Sequence, residues 1–320
     1  MRTLTLTATL FSSLVLAANA WAGGRPVAIV TAETSNQVIA LSLGPHGGHV
    51  LKRVHLVDPL MVAAPLDGPA VVVSPTGTVT LLAPNSLRPI KVWRNFRAPE
   101  IAKIAPGDRL AYVADGGTGD ISVIDLAERR IVDRVWVGLQ AHHMSFSPDG
   151  KRLWIALGET ATTLVRLDTS NLRKPRVVAR IQPRYTSHDV VFAPDGRTVW
   201  VSSSAAPFVT VYGAATGKVV KVIPAAKAPQ HFAFSGARVL ITSGYGSSLQ
   251  AILWRTYRRL GTVAMPYGSF NLAMFGGQVV TASLLTGYVT ELEAGTLHRF
   301  WTVKVAPETR YVAISLWPGT

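Results

Sequence analysis

The chain reads as an all-β protein: a seven-bladed β-propeller of four-stranded blades, closed by a C-terminal strand that completes blade one. Three observations predict this. The first is a recurring unit. Residues 142–150 read HHMSFSPDG and lead into RLWIALG; residues 188–196 read HDVVFAPDG and lead into RTVWVSSS; residues 231–236 keep HFAFSG before RVLITSG. A piece this short cannot bury its apolar face alone, so its recurrence implies stacked copies of one supersecondary unit. The second is the period. Aligned on His142, the units begin at Pro59, Glu100, His142, His188, His231, Asn271 and Tyr311, spaced 40 to 46 residues apart. A repeat of about 40 to 45 residues carrying four short strands is that of a propeller blade. The third is that the two ends are complementary fragments, one lacking an inner strand and the other supplying little else.

In chain order, unit one offers VAIVTAE from Val27, VIALSL from Val38 and HVLKRVHL from His49, which are second, third and outer strands without an inner one. Unit two is the most worn, with AAPLDG from Ala63 where a Pro-Asp-Gly turn is expected. Units three to five carry the full pattern: an inner strand such as HMSFS, a turn, then RLWIAL, TTLVRLD and RVVARI. Val, Ile, Leu and Trp suit pleated, buried strands, and Asp-Gly supplies the dihedral angles of a tight hairpin. Asp149 and Asp195 are therefore read as turn formers. Units six and seven have eroded turns, and the last unit supplies YVAISLW, residues 311–317. Pairing that strand into blade one removes two raw sheet edges.

Of 320 residues, 48% are hydrophobic and 16% charged, which suits a globular chain with a large core and excludes a disordered tail or a coiled coil. Residues 1–22 have one basic residue, Arg2, then an uncharged apolar stretch and small residues at Ala18, Ala20 and Ala22. They are read as a signal peptide, so the chain is expected to be exported, periplasmic or extracellular, with residues 23–320 forming one propeller domain. No further segment has the run of about 18 apolar residues that a membrane helix needs. With no cysteine, the fold closes without disulfides and offers no thiolate to a metal.

The net charge is +14, and residues 196–290 contain no Asp or Glu. Lys218, Lys221, Lys227, Arg238, Arg255, Arg258 and Arg259 form a basic flank there, a surface for anionic small molecules, anionic polymers or a protein partner. Nucleic acid is disfavoured, because the aromatic interleaving of single-strand binders is missing. A monomer is expected.

LAYVADGGTGDISVIDL, FSPDGKRLWIAL, FAPDGRTVWVSS and VTVYGAATGKVVKVI resemble the YVTN repeat, and residues 23–320 as a whole resemble the YVTN or YncE-like seven-bladed β-propeller family. The resemblance implies an exported propeller. Members of that family range from binding proteins to lactonases and relatives of the haem d1 propellers, so the implied function is broad.

Residues entering each inner strand crowd the mouth of a propeller channel. The candidate ligand set is therefore Glu100, His142, His143, His188, Asp189, His231, Asn271 and Tyr311, flanked by Arg97, Arg184, Tyr185, Tyr267, Ser269 and Arg310. Three imidazoles in consecutive blades, His142, His188 and His231, suit Zn or Cu. A cationic funnel of Arg and His would suit an anionic small molecule or a haem d1-like cofactor. In the competing reading these histidines only fasten loops between blades. The function expected first is a non-enzymatic binding or scaffold protein with its ligand at this mouth. The alternative is a metal- or cofactor-dependent enzyme, a lactonase-like hydrolase or a haem d1 or copper oxidoreductase, using the same histidines with Glu100.

Other motifs carry less. GAATGK from Gly213 has Val219 where a phosphate loop needs Ser or Thr, and DGGTGD from Asp115 lacks the spacing of a calcium loop. His46, His49 and His55 are read as solvent-facing and His298 as rim. Trp93, Trp136, Trp154, Trp200, Trp254 and Trp301 are read as packing between blades.

Overall fold

The computed structural model describes residues 24–318. They form seven four-stranded antiparallel sheets arranged as a propeller. The expected signal peptide lies outside the described residues. No described helix is long and apolar enough to cross a membrane.

Blade one is ordered Val312–Trp317, Arg25–Ala32, Gln37–Ser42, Val50–His55, so its inner strand comes from the far end of the chain. The closing ladder sets Arg25 opposite Trp317, Val27 opposite Ser315 and Val30 opposite Val312. Val312, Ile314 and Trp317 are buried in it. Six further blades follow in simple order, with inner strands Met61–Ala63, Pro99–Ile104, Ala141–Phe146, Ser187–Phe192, Phe232–Ser235 and Ser269–Phe275.

Burial follows position in the blade. Second strands such as Leu110–Asp115 are buried along their whole length, packed between blades on both faces. The outer strand Arg176–Ile181 alternates exposed and half-buried residues. Trp154 and Trp200 are wholly buried between sheets, and Trp93 and Trp254 nearly so. Trp136 departs from the expectation: it is 60% exposed on an outer strand, with the Arg180 guanidinium 5.5 Å above its ring.

The turns behave as their chemistry requires, with one refinement. Gly150 and Gly196 take positive φ, +69° and +67°, whereas Asp149 and Asp195 do not. The aspartates instead accept from the turn backbone, Lys151 N on Asp149 Oδ1 at 3.1 Å and Arg197 N on Asp195 Oδ1 at 3.0 Å. DGGTGD is a loop fastener: the Asp115 carboxylate accepts from the backbone N–H groups of Arg97, Ala98, Gly117 and Thr118. GAATGK is the hairpin between the third and outer strands of blade five.

One local device shapes the channel. The inner strand of blade four pairs Ala141 with Leu157 and then Met144 with Ile155, so His142 and His143 together oppose a single residue. Blade five repeats it, with His188 and Asp189 between Ser187 and Val190. A bulge of this kind re-aims side chains that strict alternation would send to opposite faces. All four of these residues are buried.

Candidate metal centre

The ligand atoms of His143, His188 and His231 lie within 4.8 Å of one another, and all three residues are buried. Their rings form a triangle, with centroids 4.5 Å apart for His143 and His188, 4.7 Å for His143 and His231, and 5.1 Å for His188 and His231. The converging set thus differs by one residue from the trio His142, His188 and His231 expected from repeat alignment. His142 turns its Nε2 to Glu100 Oε2 at 3.1 Å, on the vestibule side. The bulge is the reason: alignment by repeat position cannot tell which of two consecutive histidines points at the next blade.

Two of the three rings are held from behind, and the third lies near the same carboxylate. His188 Nδ1 donates to the Glu159 carbonyl at 3.0 Å, which fixes its tautomer and leaves Nε2 with a lone pair. That Nε2 is buried and has no hydrogen-bond partner among the described residues. Asp189 serves the other two rings, with Oδ2 3.3 Å from His231 Nδ1 and Oδ1 3.9 Å from His143 Nδ1. Asp189 is itself positioned by Val190 N donating to Oδ1 and by its own N–H donating to Ser202 Oγ. The carboxylate orients His231 and raises its basicity as a ligand, while His143 feels its charge without a hydrogen bond.

The electrostatics favour lone pairs over protons. Burial and the neighbouring imidazoles hold His142 down to about 3 and His188 to about 4, and push His143 well below its ordinary range. Burial pushes the Asp189 carboxyl up, but the His231 hydrogen bond and nearby positive charge outweigh it and hold it below the ordinary value.

One space lies against the cluster and a second adjoins it. A chamber of about 160 Å³ is bounded by the three histidines, Tyr245, Phe270 and Arg310. It shares Glu159 and Arg310 with a vestibule of about 440 Å³ that also takes in Glu33, Glu100 and His142. A third cavity of about 100 Å³ borders His143, Asp189 and His231 and is lined also by Lys103. The vestibule is not the cationic funnel expected from the sequence. Three carboxylates face one guanidinium, and Arg310 is engaged by Glu33 at 2.8 Å and Glu159 at 3.8 Å. Burial pushes Glu33 up despite Arg310, and burial together with Glu159 pushes Glu100 up. A cation entering here would relieve both. In a chain of net charge +14 the acidic mouth stands out.

The remaining candidates fall elsewhere. Asn271 Nδ2 donates to the Arg310 carbonyl at 2.8 Å, tying the inner strand of blade seven to the closing segment. Tyr311 lines the channel with its ring 6.1 Å from that of His231, and burial pushes its phenol up. Arg97 is exposed and contributes its backbone N–H to Asp115. Arg184 and Tyr185 line an outer groove between blades four and five, not the mouth. Tyr267 is half exposed and offers its carbonyl to Ser283 and Thr286, and Ser269 is buried at the start of the inner strand of blade seven, its hydroxyl donating to the Pro266 carbonyl. Lys218 and Lys221 lie at the outer strand of blade five, Arg255, Arg258 and Arg259 around the outer hairpin of blade six, Lys227 between these blades and Arg238 on a second strand. His46, His49, His55 and His298 are exposed.

Sequence reasoning missed Glu33 and Glu159. Both sit in turns after second strands, in the related strings AET at 32–34 and GET at 158–160, and that shared Glu-Thr was the available signal.

The chamber beside the histidines is well under the roughly 300 Å³ at which cofactor and drug-sized pockets begin, so it suits an ion with a few further atoms and not a tetrapyrrole. In a tetrahedral zinc site with bonds of about 2.0–2.1 Å, ligand nitrogens stand about 3.4 Å apart, so each ring needs to close by about 1 Å or less.

No protein-family model matches the chain, and no curated protein matches it. Among solved structures, a functionally unknown protein from Desulfotomaculum acetoxidans DSM 771 is similar with a TM-score of 0.78 at 13% identity, over 92% of this chain and 99% of that one. Kuenenia stuttgartiensis hydrazine synthase is similar with a TM-score of 0.62 at 18% identity, over 74% of this chain and 76% of that one. At such identities the likeness establishes architecture: this chain is a seven-bladed β-propeller, and any role for its histidines rests on their own geometry.

Proposed function

We propose that this propeller is a binding protein for a divalent transition metal ion of the zinc or copper class, held in its channel by His143, His188 and His231. The observation that carries the reading is the buried, unpartnered Nε2 lone pair of His188, aimed among two further imidazoles. Leaving a buried polar atom unpaired is costly, and coordination would satisfy it. Asp189 beside His231, the imidazoles of His143 and His188 held neutral by burial, and an acidic vestibule support the same conclusion. Three protein donors leave a fourth position facing the chamber, as in sites that exchange a ligand; structural zinc sites are closed by four.

The test is titration of chelator-treated protein with Zn²⁺ and with Cu²⁺, followed by calorimetry. One equivalent should bind, and His143→Ala, His188→Ala and His231→Ala should each lose it while His142→Ala keeps it. Equal binding by all four variants, or none by the parent protein, overturns the proposal. The open fourth position also favours a hydrolytic role for the same ion. Lactone hydrolysis by loaded protein that disappears in His188→Ala would make the chain an enzyme.

A further inference from the structure

The outer strands of the seven blades are unpaired on their solvent side, and one of them is unlike the rest. Five outer strands expose at most one large apolar side chain each: Val50 in blade one, Trp136 in blade three, Val178 in blade four and Leu260 in blade six, with none in blade two. Blade seven likewise exposes none beyond half-buried Phe300, Trp301 and Val303. Blade five, Val219–Pro224, exposes three valines, Val219 at 56%, Val220 at 55% and Val222 at 51%. The register shift in its ladder recurs in all seven outer strands, so it does not set this one apart.

Two of these valines have company. Val219 and Val222, with Phe208 on the adjacent strand of the same sheet, form one wall of a groove of about 420 Å³, whose other wall includes Ile181, Pro183 and Tyr185. Tyr185 and Phe208 meet edge to face with centroids 5.1 Å apart, so the groove has a rigid aromatic floor. An open strand edge beside an apolar groove is the arrangement by which a sheet receives an added strand. Main-chain hydrogen bonds supply affinity and a side-chain pocket supplies selectivity.

Charge states which strand. Arg184 is exposed on the groove, Lys218 and Lys221 are exposed on the strand edge beside Val219 and Val222, and none of the three makes an ion pair among the described residues. The chain contains no Asp or Glu from residue 196 to residue 290. A second copy of this protein, pairing edge to edge, would bring the Lys218 and Lys221 side chains of both copies together along one ladder, and like charges brought close across a ladder are destabilising. An acidic strand has no such conflict.

We propose that the outer edge of blade five is a docking site for an extended acidic peptide segment of a protein partner, added as a fifth strand along Val219–Pro224 with an apolar or aromatic side chain seated in the groove. This surface lies outside the channel and is independent of the metal reading.

The probe is a fluorescein-labelled peptide of about twelve residues alternating glutamate and valine, with one central phenylalanine, followed by fluorescence polarisation at low salt. It should saturate, and the counterpart with lysine for glutamate should bind at least about tenfold more weakly, a loss of about 1.4 kcal/mol. Methylating alternate backbone nitrogens on one edge of the peptide should abolish binding, as should Val220→Glu with Val222→Glu, while Val178→Glu in blade four changes nothing. No saturable binding overturns the proposal. So does binding that survives both backbone methylation and the valine substitutions, which would be charge attraction alone. Concentration-dependent dimerisation in sedimentation, lost in Val222→Glu, would make the occupant a second copy and overturn it as well.

Discussion

The seam where the ring closes is fastened by a carboxylate whose protonation should be readable in the stability of the whole protein. Glu291 is fully buried on the third strand of blade seven, opposite Trp301 on the outer strand. Its Oε1 and Oε2 both accept from Gly44 N, at 3.1 and 2.9 Å, while Trp301 Nε1 donates to Gly44 O at 3.0 Å. One backbone residue of blade one is thus held by its N–H and its C=O from blade seven. Burial pushes the Glu291 carboxyl from 4.5 up to about 7, against the hydrogen bond from Gly44 N and the nearby Trp301 indole dipole. Below pH 4.5 the group is protonated whether the chain is folded or not, and ionisation costs nothing. Between 4.5 and 7 the folded protein keeps a proton that the unfolded chain releases, so stability falls as pH rises, and above 7 the full penalty applies. The shift corresponds to about 3 kcal/mol at full burial and about 2 kcal/mol once water entry and relaxation are allowed. The depressed His142 and His188 act in the opposite sense, losing stability as pH falls below 6.5, so the quantity to measure is the difference from a variant. Urea unfolding of wild type and Glu291→Gln at pH 5, 6, 7 and 8, followed by tryptophan fluorescence, should give curves that diverge by about 2 kcal/mol from the acid to the alkaline end. Parallel curves would refute the reasoning, because they would mean that Glu291 is solvated or already ionised in the fold.

Two further predictions follow from the same geometry. Deleting the residues after Pro307 removes the inner strand of blade one, with buried Val312, Ile314 and Trp317, and bares the edge of Arg25–Ala32. That costs at least about 5 kcal/mol, comparable to the whole stability of a domain, so cooperative melting should vanish; an unchanged thermal transition would rule out closure by this strand. Asp189→Asn keeps the size and the oxygen that Val190 N needs but removes the charge behind His143 and His231. Zinc affinity should drop by about 10- to 100-fold with the melting temperature of metal-free protein little changed, and calorimetry showing undiminished affinity would deny Asp189 its orienting role.

The architecture was legible because it is written many times over. Seven units repeat a turn, a strand length and a period, and each worn copy, such as AAPLDG from Ala63, is corrected by its neighbours. The complementary ends told of closure for the same reason: one inner strand missing at the start, one spare at residues 312–317. The centre was legible only to within a residue. His188 and His231 follow from repeat position, but His142 and His143 are adjacent, and strict alternation along a strand would send them to opposite faces. The bulge between Ala141 and Met144 suspends that rule, and a two-against-one register leaves no mark in composition. Glu33 and Glu159 escaped for a different reason. They lie in turns, where no hydrophobic period operates, and they share the vestibule only because blades one and four face it from opposite sides of the ring. Arg184 failed in the reverse direction: four residues from His188 in sequence, it is carried by the chain from the outer strand of blade four toward the inner strand of blade five and stops at the outer groove. In a propeller each blade runs from channel to rim, so proximity in sequence says little about proximity in the channel, and equivalence of repeat position says nearly everything. The histidine cluster is the place where the second rule holds and a local bulge decides the last residue.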